Sequence, residues 1–190
     1  SPLLSSAASS STAPVVERMN PRSDRFEVIS FHHLELYCSD ASSTAGRFAH
    51  GLGMDVLATS GPATGNPQFA SQVIGSGNVR FAFTSPLPTV DSSADMSASA
   101  PPPGIATALG YDAASARTFV ERHGGVAVRA VCIRVADVEA AYDACIEGGA
   151  EGVLAPCRLT EDGAVASPED ARATATVAEV RLYGDVVLRM

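Results

Sequence analysis

The sequence predicts an α+β domain in which two βαβββ modules form one curved sheet. The first observation behind this prediction is that each half of the chain contains a strand, a helix and then three strands. The second is an internal repeat, because the first strand and helix superpose without a gap on a later strand and helix after a shift of 97 residues. The third is a shift of 107 residues that superposes the final hairpins. One such unit is too small to close its own sheet, so we expect the two to pack side by side around a concave face.

The first module begins with a strand over 27–38, where the run EVISFHHLELYC is rich in β-branched and aromatic residues. Asp40 is suited to the N-cap of the following helix, and Gly51 and Gly53 end that helix. Three short strands follow, and a Gly-Ser-Gly turn indicates that the last two form a hairpin. These strands are predicted over 54–59, 68–75 and 78–84.

The second module repeats this order after a further helix. Asp112 is suited to the N-cap of that helix, and Gly124 and Gly125 end it. One face of this helix carries Ala116, Phe119, Val120 and His123. The repeated strand lies over 126–135, and Asp137 caps the repeated helix. The last three strands are predicted over 153–159, 174–182 and 185–190, with a tight Tyr-Gly-Asp turn between the last two.

Low-complexity segments set the expected domain limits. Residues 1–24 are expected to form a disordered tail, because a Ser- and Ala-rich stretch buries too little apolar surface to offset the entropy of ordering. A remnant of a transit peptide is an alternative interpretation of this tail. The domain is expected over 25–190, with module one at 25–87, a variable surface loop at 88–111 and module two at 112–190.

Composition excludes several classes of function. The chain has 190 residues, with 21 acids and 13 bases, and its formal net charge is −8. This balance argues against nucleic acid and anionic membrane surfaces as partners, since both attract clustered bases. The cysteines form no CxxC pair, so a zinc ribbon is not expected. We interpret them as free thiols in a reducing compartment, the cytoplasm, with the plastid as the alternative. They are Cys38, Cys132, Cys145 and Cys157.

Several local sequences resemble one enzyme family. They are NPRSD at 20–24, FHHLEL at 31–36, GRFAHGLGM at 46–54, TGN at 64–66, FAFTSPL at 81–87, VRAV at 128–131 and AEVRLYGDVVLR at 178–189. Together they resemble the 4-hydroxyphenylpyruvate dioxygenases of the plant and algal type over about residues 20–190. The length of the last run makes the resemblance specific.

The resemblance implies the vicinal-oxygen-chelate fold, also called glyoxalase-like, and a parent enzyme with two such domains, of which this chain is similar to the first. It implies an Fe(II)-dependent oxidoreductase that converts 4-hydroxyphenylpyruvate and O2 to homogentisate and CO2. The product would serve tyrosine and phenylalanine catabolism and supply plastoquinone and tocopherol synthesis. The implied partners are the chain's own C-terminal catalytic domain and a second copy in a homodimer. We expect this fragment alone to be inactive.

The resemblance also implies where iron is bound in the catalytic domain of the family: a histidine on the first strand, a histidine on the fifth and a glutamate on the eighth. The equivalent positions here are His33, Ala130 and Arg189. Ala130 has no donor atom, and arginine is a permanent cation that offers only hydrogen-bond donors. Ala82, the fourth-strand equivalent of Arg189, also lacks a donor. We therefore expect no catalytic, cofactor-binding or metal-binding residue in this chain, and the iron ligands are expected in the C-terminal half.

The other polar candidates have ordinary structural explanations. Adjacent residues on a strand point to opposite faces, so His32 and His33 are not expected to bind one metal together. Glu35 shares a face with His33, and a buried polar pair is favoured over an acid–base couple. His50 and His123 lie near helix C-termini, where an imidazole can face the last carbonyl groups.

Two further segments carry no predicted site. Gly51-Leu52-Gly53 lacks the GxGxxG spacing of a phosphate loop and ends a helix instead of starting one. Glu161 and Asp162 are expected in a solvated loop.

Two alternative functions stay open. A free-standing glyoxalase-like metalloenzyme would need a site built from His33 and Glu35 of two chains, and the small number of donor atoms argues against it. A small-molecule binding module would need only an open cleft. The aromatic content of 6% argues mildly against that module.

Overall fold

The computed structural model describes residues 25–88, 112–160 and 173–190. The strands in these ranges are β1 (Val28–Cys38), β2 (Asp55–Ser60), β3 (Phe69–Ser76), β4 (Val79–Pro86), β5 (Val126–Val135), β6 (Gly152–Thr160), β7 (Ala173–Tyr183) and β8 (Val186–Arg189). The α-helices are α1 (Ala41–Leu52), α2 (Ala113–Arg122) and α3 (Val138–Glu147). Each of these elements was predicted from the sequence, and their bounds agree closely with the prediction. None of the described helices is both long enough and apolar enough to cross a membrane.

Two predicted segments fall largely outside this description. The tail at 1–24 lies outside the described residues, and so does nearly all of the loop at 88–111. A short 3-10 turn at Pro62–Thr64 was not predicted.

The eight strands form one sheet in the order β2-β3-β4-β1-β5-β8-β7-β6. The central strands β1 and β5 are antiparallel, and each pairs in parallel with the last strand of its own module. At the middle of the β1–β5 ladder Leu34 pairs with Val131, and these positions differ by the same 97 residues as the sequence repeat. A pseudo-twofold axis therefore passes between these two residues, which confirms the repeat in its register.

The pairs that flank this axis obey the same symmetry. His33 pairs with Cys132, and Glu35 pairs with Ala130. A shift of 97 residues exchanges one pair for the other, because it carries His33 to Ala130 and Glu35 to Cys132. The two modules thus meet as the two halves of a symmetric dimer would meet.

Helices α1 and α3 cover one face of the sheet. Small residues let α1 approach closely, because Ala41 and Ala45 are fully buried against the sheet with Cys38 and Phe83. Helix α3 packs in the same way on the other module, around Ala141, Ala178, Val180 and Met190.

Helix α2 covers part of the opposite face. Tyr37 is the neighbour of Cys38 on β1, so the two side chains point to opposite faces. Tyr37 and Phe69 pack against α2 and its Phe119. We call the face that carries Tyr37 and Glu35 the inner face.

The helix ends follow the predicted capping chemistry. The carboxylates of Asp40, Asp112 and Asp137 accept hydrogen bonds from backbone N–H groups in the first turns of α1, α2 and α3. Gly53 ends α1 with a φ of 63°, a left-handed conformation that glycine adopts without steric cost.

Candidate functional site

The centre of the inner face is a row of side chains from both modules. His33 of β1 pairs with Cys132 of β5, and Cys132 pairs with Arg189 of β8. Arg189 in turn pairs with Glu179 of β7. Glu35 lies two residues after His33 on β1 and therefore shares its face. The register of the sheet alone brings together an imidazole, a thiol, a guanidinium and two carboxylates.

Arg189 bridges the two carboxylates. Its Nε donates to Oε1 of Glu179 at 2.7 Å, and its Nη1 lies 2.9 Å from Oε2 of Glu35. The side chains of Glu179, Glu35 and Arg189 are only 1%, 7% and 11% exposed. Charge-assisted bonds of this kind are strong, and a buried charge that loses its partner is costly. We call these three residues the Arg189 cluster.

Two hydroxyl groups extend this cluster into the first module. Oγ1 of Thr84 donates to Oε1 of Glu35 at 3.0 Å, and Oγ of Ser71 lies 3.0 Å from the same Thr84 oxygen. Each carboxylate oxygen of Glu35 therefore has a partner, one from each module. Such pairing is what allows a carboxylate to be buried.

The groups around the cluster are held in their neutral forms. Burial raises the pKa of the Cys132 thiol to about 12, so it is not a nucleophile at neutral pH. Burial, reinforced by Glu35, also raises the pKa of Tyr37 above its usual value. All four cysteines are free, as predicted.

The structure corrects the prediction for the adjacent histidines. Along the β1–β5 ladder, Phe31 pairs with Ile133 and His33 pairs with Cys132, so His32 is the extra residue of a β-bulge. The two rings meet at an Nδ1–Nδ1 distance of 2.7 Å. The prediction that they point to opposite faces is wrong, because it assumed an unbroken strand.

His33 is neutral at pH 7. Burial lowers its pKa to about 4, although the nearby Glu35 carboxylate acts in the opposite direction. At an Nδ1–Nδ1 distance of 2.7 Å one ring donates and the other accepts, so at least one of the two imidazoles is neutral. The imidazole therefore faces the cluster as an uncharged polar group.

A cavity of about 730 Å³ opens beside the cluster. Its volume falls in the range of small-molecule sites, which span about 300–1,000 Å³. Four residues of the site line its wall, namely His32, His33, Cys132 and Arg189. Arg134 and Met190 line it as well.

The remaining candidate residues lie away from this centre. His123 follows the last turn of α2 and is exposed, and its Nε2 lies 2.9 Å from Oδ2 of Asp185. Its ring packs on the ring of Phe119 at a centroid distance of 4.3 Å, so the prediction that it shares a face with Phe119 is confirmed. The prediction that it faces carbonyl groups is wrong, because Asp185 in the β7–β8 turn binds it instead. His50 lies in the last turn of α1, as predicted. Gly53 ends that helix and forms no phosphate loop, and Glu161 and Asp162 lie outside the described residues.

Comparison with known proteins identifies the relatives of the chain. No protein-family model matches it. It is 44% identical over 172 residues to the 4-hydroxyphenylpyruvate dioxygenase of Hordeum vulgare and 40% identical over 172 residues to that of Daucus carota. The chain is homologous to the 4-hydroxyphenylpyruvate dioxygenases. Each alignment covers 90% of this chain but 34% of the relative, so the chain spans about a third of the length of these dioxygenases.

Solved structures confirm the vicinal-oxygen-chelate fold. A variant of 4-hydroxymandelate synthase from Streptomyces coelicolor superposes with a TM-score of 0.61 at 25% identity, over 86% of this chain and 38% of that protein. Methylmalonyl-CoA epimerase from Mycobacterium tuberculosis superposes with a TM-score of 0.53 at 14% identity, over 85% of this chain and 86% of the epimerase. The second likeness concerns the fold alone.

The iron implied by the resemblance to 4-hydroxyphenylpyruvate dioxygenases does not fit the residues of this site. His33 has a suitable nitrogen, but Ala130 is fully buried and has no donor atom. Arg189 places a guanidinium where a carboxylate ligand would be needed, and this guanidinium is bound by two glutamates. Across the described ranges, no three His, Cys, Asp or Glu side chains are grouped to hold a metal ion.

Sequence reasoning missed Glu179, although a signal for it was present. The predicted hairpin turns at Gly184, and positions 179 and 189 are equally distant from that glycine. A turn centred on that glycine would place Glu179 opposite Arg189, and the ladder contains this pair, although a register shift separates it from the Tyr183–Val186 pair at the turn. An acid and a base at paired positions of a central hairpin predict a cross-strand ion pair.

Proposed function

We propose that this chain is the N-terminal, non-metal-binding domain of a 4-hydroxyphenylpyruvate dioxygenase. The observation that carries the proposal is its 40–44% identity to dioxygenases of this name, combined with a cation at the position of the carboxylate ligand. Because the chain spans about a third of those relatives, the activity of the whole enzyme is itself part of the proposal.

The whole enzyme would convert 4-hydroxyphenylpyruvate and O2 to homogentisate and CO2. Its Fe(II) would be held by two histidines and a glutamate in a separate catalytic domain. The present domain would contribute no ligand to the iron and would act as a support for that catalytic domain. The cytoplasm is the proposed compartment, with the plastid as the alternative.

The Arg189 cluster suits a supporting role. Glu35 belongs to module one, whereas Arg189 and Glu179 belong to module two, so the cluster ties the modules together at the centre of the sheet. The antiparallel β1–β5 ladder runs alongside this tie and adds backbone hydrogen bonds. A sheet fixed in this way presents a constant surface to a partner domain.

The first residues of β1 offer such a surface. Val28, Ile29 and Phe31 are 51%, 52% and 45% exposed, although apolar side chains of this size are usually buried. Several exposed apolar residues within four positions of one strand favour contact with another protein surface. We assign this surface to the catalytic domain, and a homodimer would use a separate surface.

A small-molecule binding module is the second candidate. The cavity of about 730 Å³ favours it, because that volume is sufficient for a small ligand. A glyoxalase-like enzyme assembled from two chains is less compatible with the site, since Glu35 is committed to Arg189 and Thr84.

A chimeric enzyme tests the leading proposal. The aligned segment of the Hordeum vulgare dioxygenase would be replaced by this chain, and homogentisate formation would be measured. We expect activity in the chimera and none in the isolated chain. The matched control is the chimera with Arg181→Met, because Arg181 pairs with the well-exposed Glu151 and should not affect activity.

Two results would count against the proposal. One is a folded, iron-loaded chimera that forms no homogentisate. The other is stoichiometric iron in the purified isolated chain after anaerobic loading with Fe(II), measured by atomic absorption. Saturable binding of 4-hydroxyphenylpyruvate to the isolated chain, together with an inactive chimera, would favour the binding module.

A further inference from the structure

We propose that a second cavity, between α2 and the sheet, binds the carboxylate of a small organic acid, and that Arg129 is the residue that holds it. This cavity has a volume of about 420 Å³ and shares no wall residue with the larger cavity beside the Arg189 cluster. The inference goes beyond the proposed function and does not depend on it, because a supporting domain needs no ligand of its own.

The first argument is that the backbone directs Arg129 into this cavity. In β5 the neighbours Val128 and Ala130 pair with adjacent residues of β1, so Arg129 between them is the extra residue of a β-bulge. This bulge is the repeat equivalent of the one at His32, because the two positions differ by 97 residues. Each bulged residue lines a cavity, His32 the larger one and Arg129 the smaller one. Bulges often aim a side chain into a site in this way.

The second argument is that Arg129 is a half-buried cation without an acidic partner in the described part of the chain. Its Nη1 donates to the backbone carbonyl of Asp185, and its guanidinium lies 6.0 Å from the ring centroid of Phe119. Neither contact supplies a negative charge. Burying a charge is costly unless an opposite charge compensates it. A carboxylate in the cavity would provide that compensation.

The other charged groups of the wall are engaged within the domain. They are Asp112, Arg122, Arg181 and Asp185. The carboxylate of Asp112 caps α2, and Nη1 of Arg122 lies 3.4 Å from Oδ2 of Asp185. Nη2 of Arg181 lies 3.4 Å from Oε1 of Glu151. Among the described residues, this leaves Arg129 as the cation of the wall that an anion can pair with.

The third argument concerns the class of ligand. A guanidinium binds a carboxylate best through two parallel N–H···O bonds, and the Nε and Nη2 atoms of Arg129 can form them while Nη1 stays on Asp185. Tyr37 and Phe119 also line the cavity, and their rings suit a flat apolar body. A volume of about 420 Å³ lies near the lower end of the range for small-molecule sites, about 300–1,000 Å³. An acid with a single ring meets these conditions.

The test is a titration of the unsubstituted chain with benzoate, followed by two-dimensional NMR of the backbone amides. We expect saturable binding of one equivalent, with the shifts concentrated in α2 and around Arg129 in β5. Benzamide has nearly the same shape but no charge, so it should bind about tenfold more weakly or worse. The chain has a formal net charge of −8, so long-range attraction cannot explain a preference for the anion.

A variant tests the assigned residue. Arg129→Gln removes the charge but keeps an N–H donor for the Asp185 carbonyl, and it should weaken benzoate binding about tenfold or more. Arg47→Met is the matched control, because it removes the same charge from the exposed side of α1 and should leave the affinity unchanged.

Three results would overturn the inference. They are the absence of saturable benzoate binding to the unsubstituted chain, an equal affinity for benzamide, and a folded R129Q that keeps its affinity for benzoate. If R129Q does not fold, the shifts in the unsubstituted chain decide: shifts at Phe119 and Arg129 support the assignment, and shifts confined to other regions overturn it.

The outcomes separate this inference from the proposed function. An active chimera together with a chain that does not bind benzoate would contradict this inference alone. An inactive, iron-loaded chimera together with benzoate binding that requires Arg129 would contradict the proposed function alone.

Discussion

The two modules share a backbone plan but differ in charge at the positions that their symmetry exchanges. The shift of 97 residues carries Glu35 to Cys132, and the shift of 107 residues carries Ala82 to Arg189. Module one therefore supplies a carboxylate where module two supplies a thiol, and module two supplies a guanidinium where module one has a methyl group. The repeated backbone sets the geometry of the sheet, whereas unlike side chains hold one module to the other.

The largest expected loss of stability comes from breaking this contact between the modules. Arg189→Met leaves Glu35 and Glu179 buried without their cation, and breaking a buried pair in this way costs about 3–5 kcal/mol. Urea denaturation with circular dichroism measures the loss in the free energy of unfolding. Arg181→Met should cost far less, because the Glu151 partner is well exposed. Equal losses in the two variants would mean that the cluster does not join the modules.

Making the modules more alike should recover most of that loss. A triple variant with Glu35→Leu, Glu179→Leu and Arg189→Met has no buried charge in the row. Apolar replacement of a buried ionic cluster is often neutral or stabilising, so we expect the triple variant to exceed R189M by about 2 kcal/mol or more. The same denaturation experiment checks this, and strictly additive losses from the three substitutions would contradict it.

The first strand of module one carries a histidine where module two has Ala130. The pH dependence of stability tests this difference between the modules. The folded protein holds the pKa of His33 at about 4, whereas the ordinary value is 6.5. Between these values the unfolded chain binds the proton first, so the free energy of unfolding should fall as the pH falls. The slope is at most about 1.4 kcal/mol per pH unit for one group.

Denaturation at several pH values from 7 to 4 measures this slope. His33→Gln should lose most of this slope, whereas the exposed control His50→Gln should keep it. A slope that is the same in both variants would exclude His33 as its source.

The smallest expected effect on stability concerns two glycines of α1, which covers the face of the sheet opposite the inner face. Gly46 lies inside α1 with open space around its Cα, so Gly46→Ala should stabilise the domain by about 0.5–1 kcal/mol. Gly53 also has open space but has a positive φ, and Gly53→Ala should therefore destabilise it. Thermal melting distinguishes the two signs. A gain at both positions would mean that the end of α1 is not fixed in its left-handed conformation.

Sequence reasoning predicted the features that local chemistry determines. Asp40 and Asp137 cap helices at positions 97 residues apart, and the Leu34–Val131 pair on the axis differs by the same 97 residues. The expectation that Ala130 and Arg189 bind no iron depends on the same local chemistry, because a methyl group and a guanidinium have no metal-binding atom in any fold.

The features that sequence reasoning missed depend on strand pairing and on contacts between elements. The bulge at His32 exists only in the pairing of β1 with β5, so an alternation rule applied to β1 alone places the ring on the wrong side. The partners of Arg189 were not predicted, because Glu35 is distant in sequence and Glu179 lies across a turn. The partner of His123 was predicted wrongly because Asp185 belongs to another element.

The axis between Leu34 and Val131 has one more consequence. An interface of two identical subunits repeats every contact, so a homodimer of either module would carry an arginine at both equivalent positions or at neither. A homodimer with two arginines would place both near the axis. A homodimer with no arginine would leave its carboxylates without a cation. Because the two modules are joined in one chain, they need not be identical. The domain can therefore contain a contact between unlike residues that a homodimer of either module could not make.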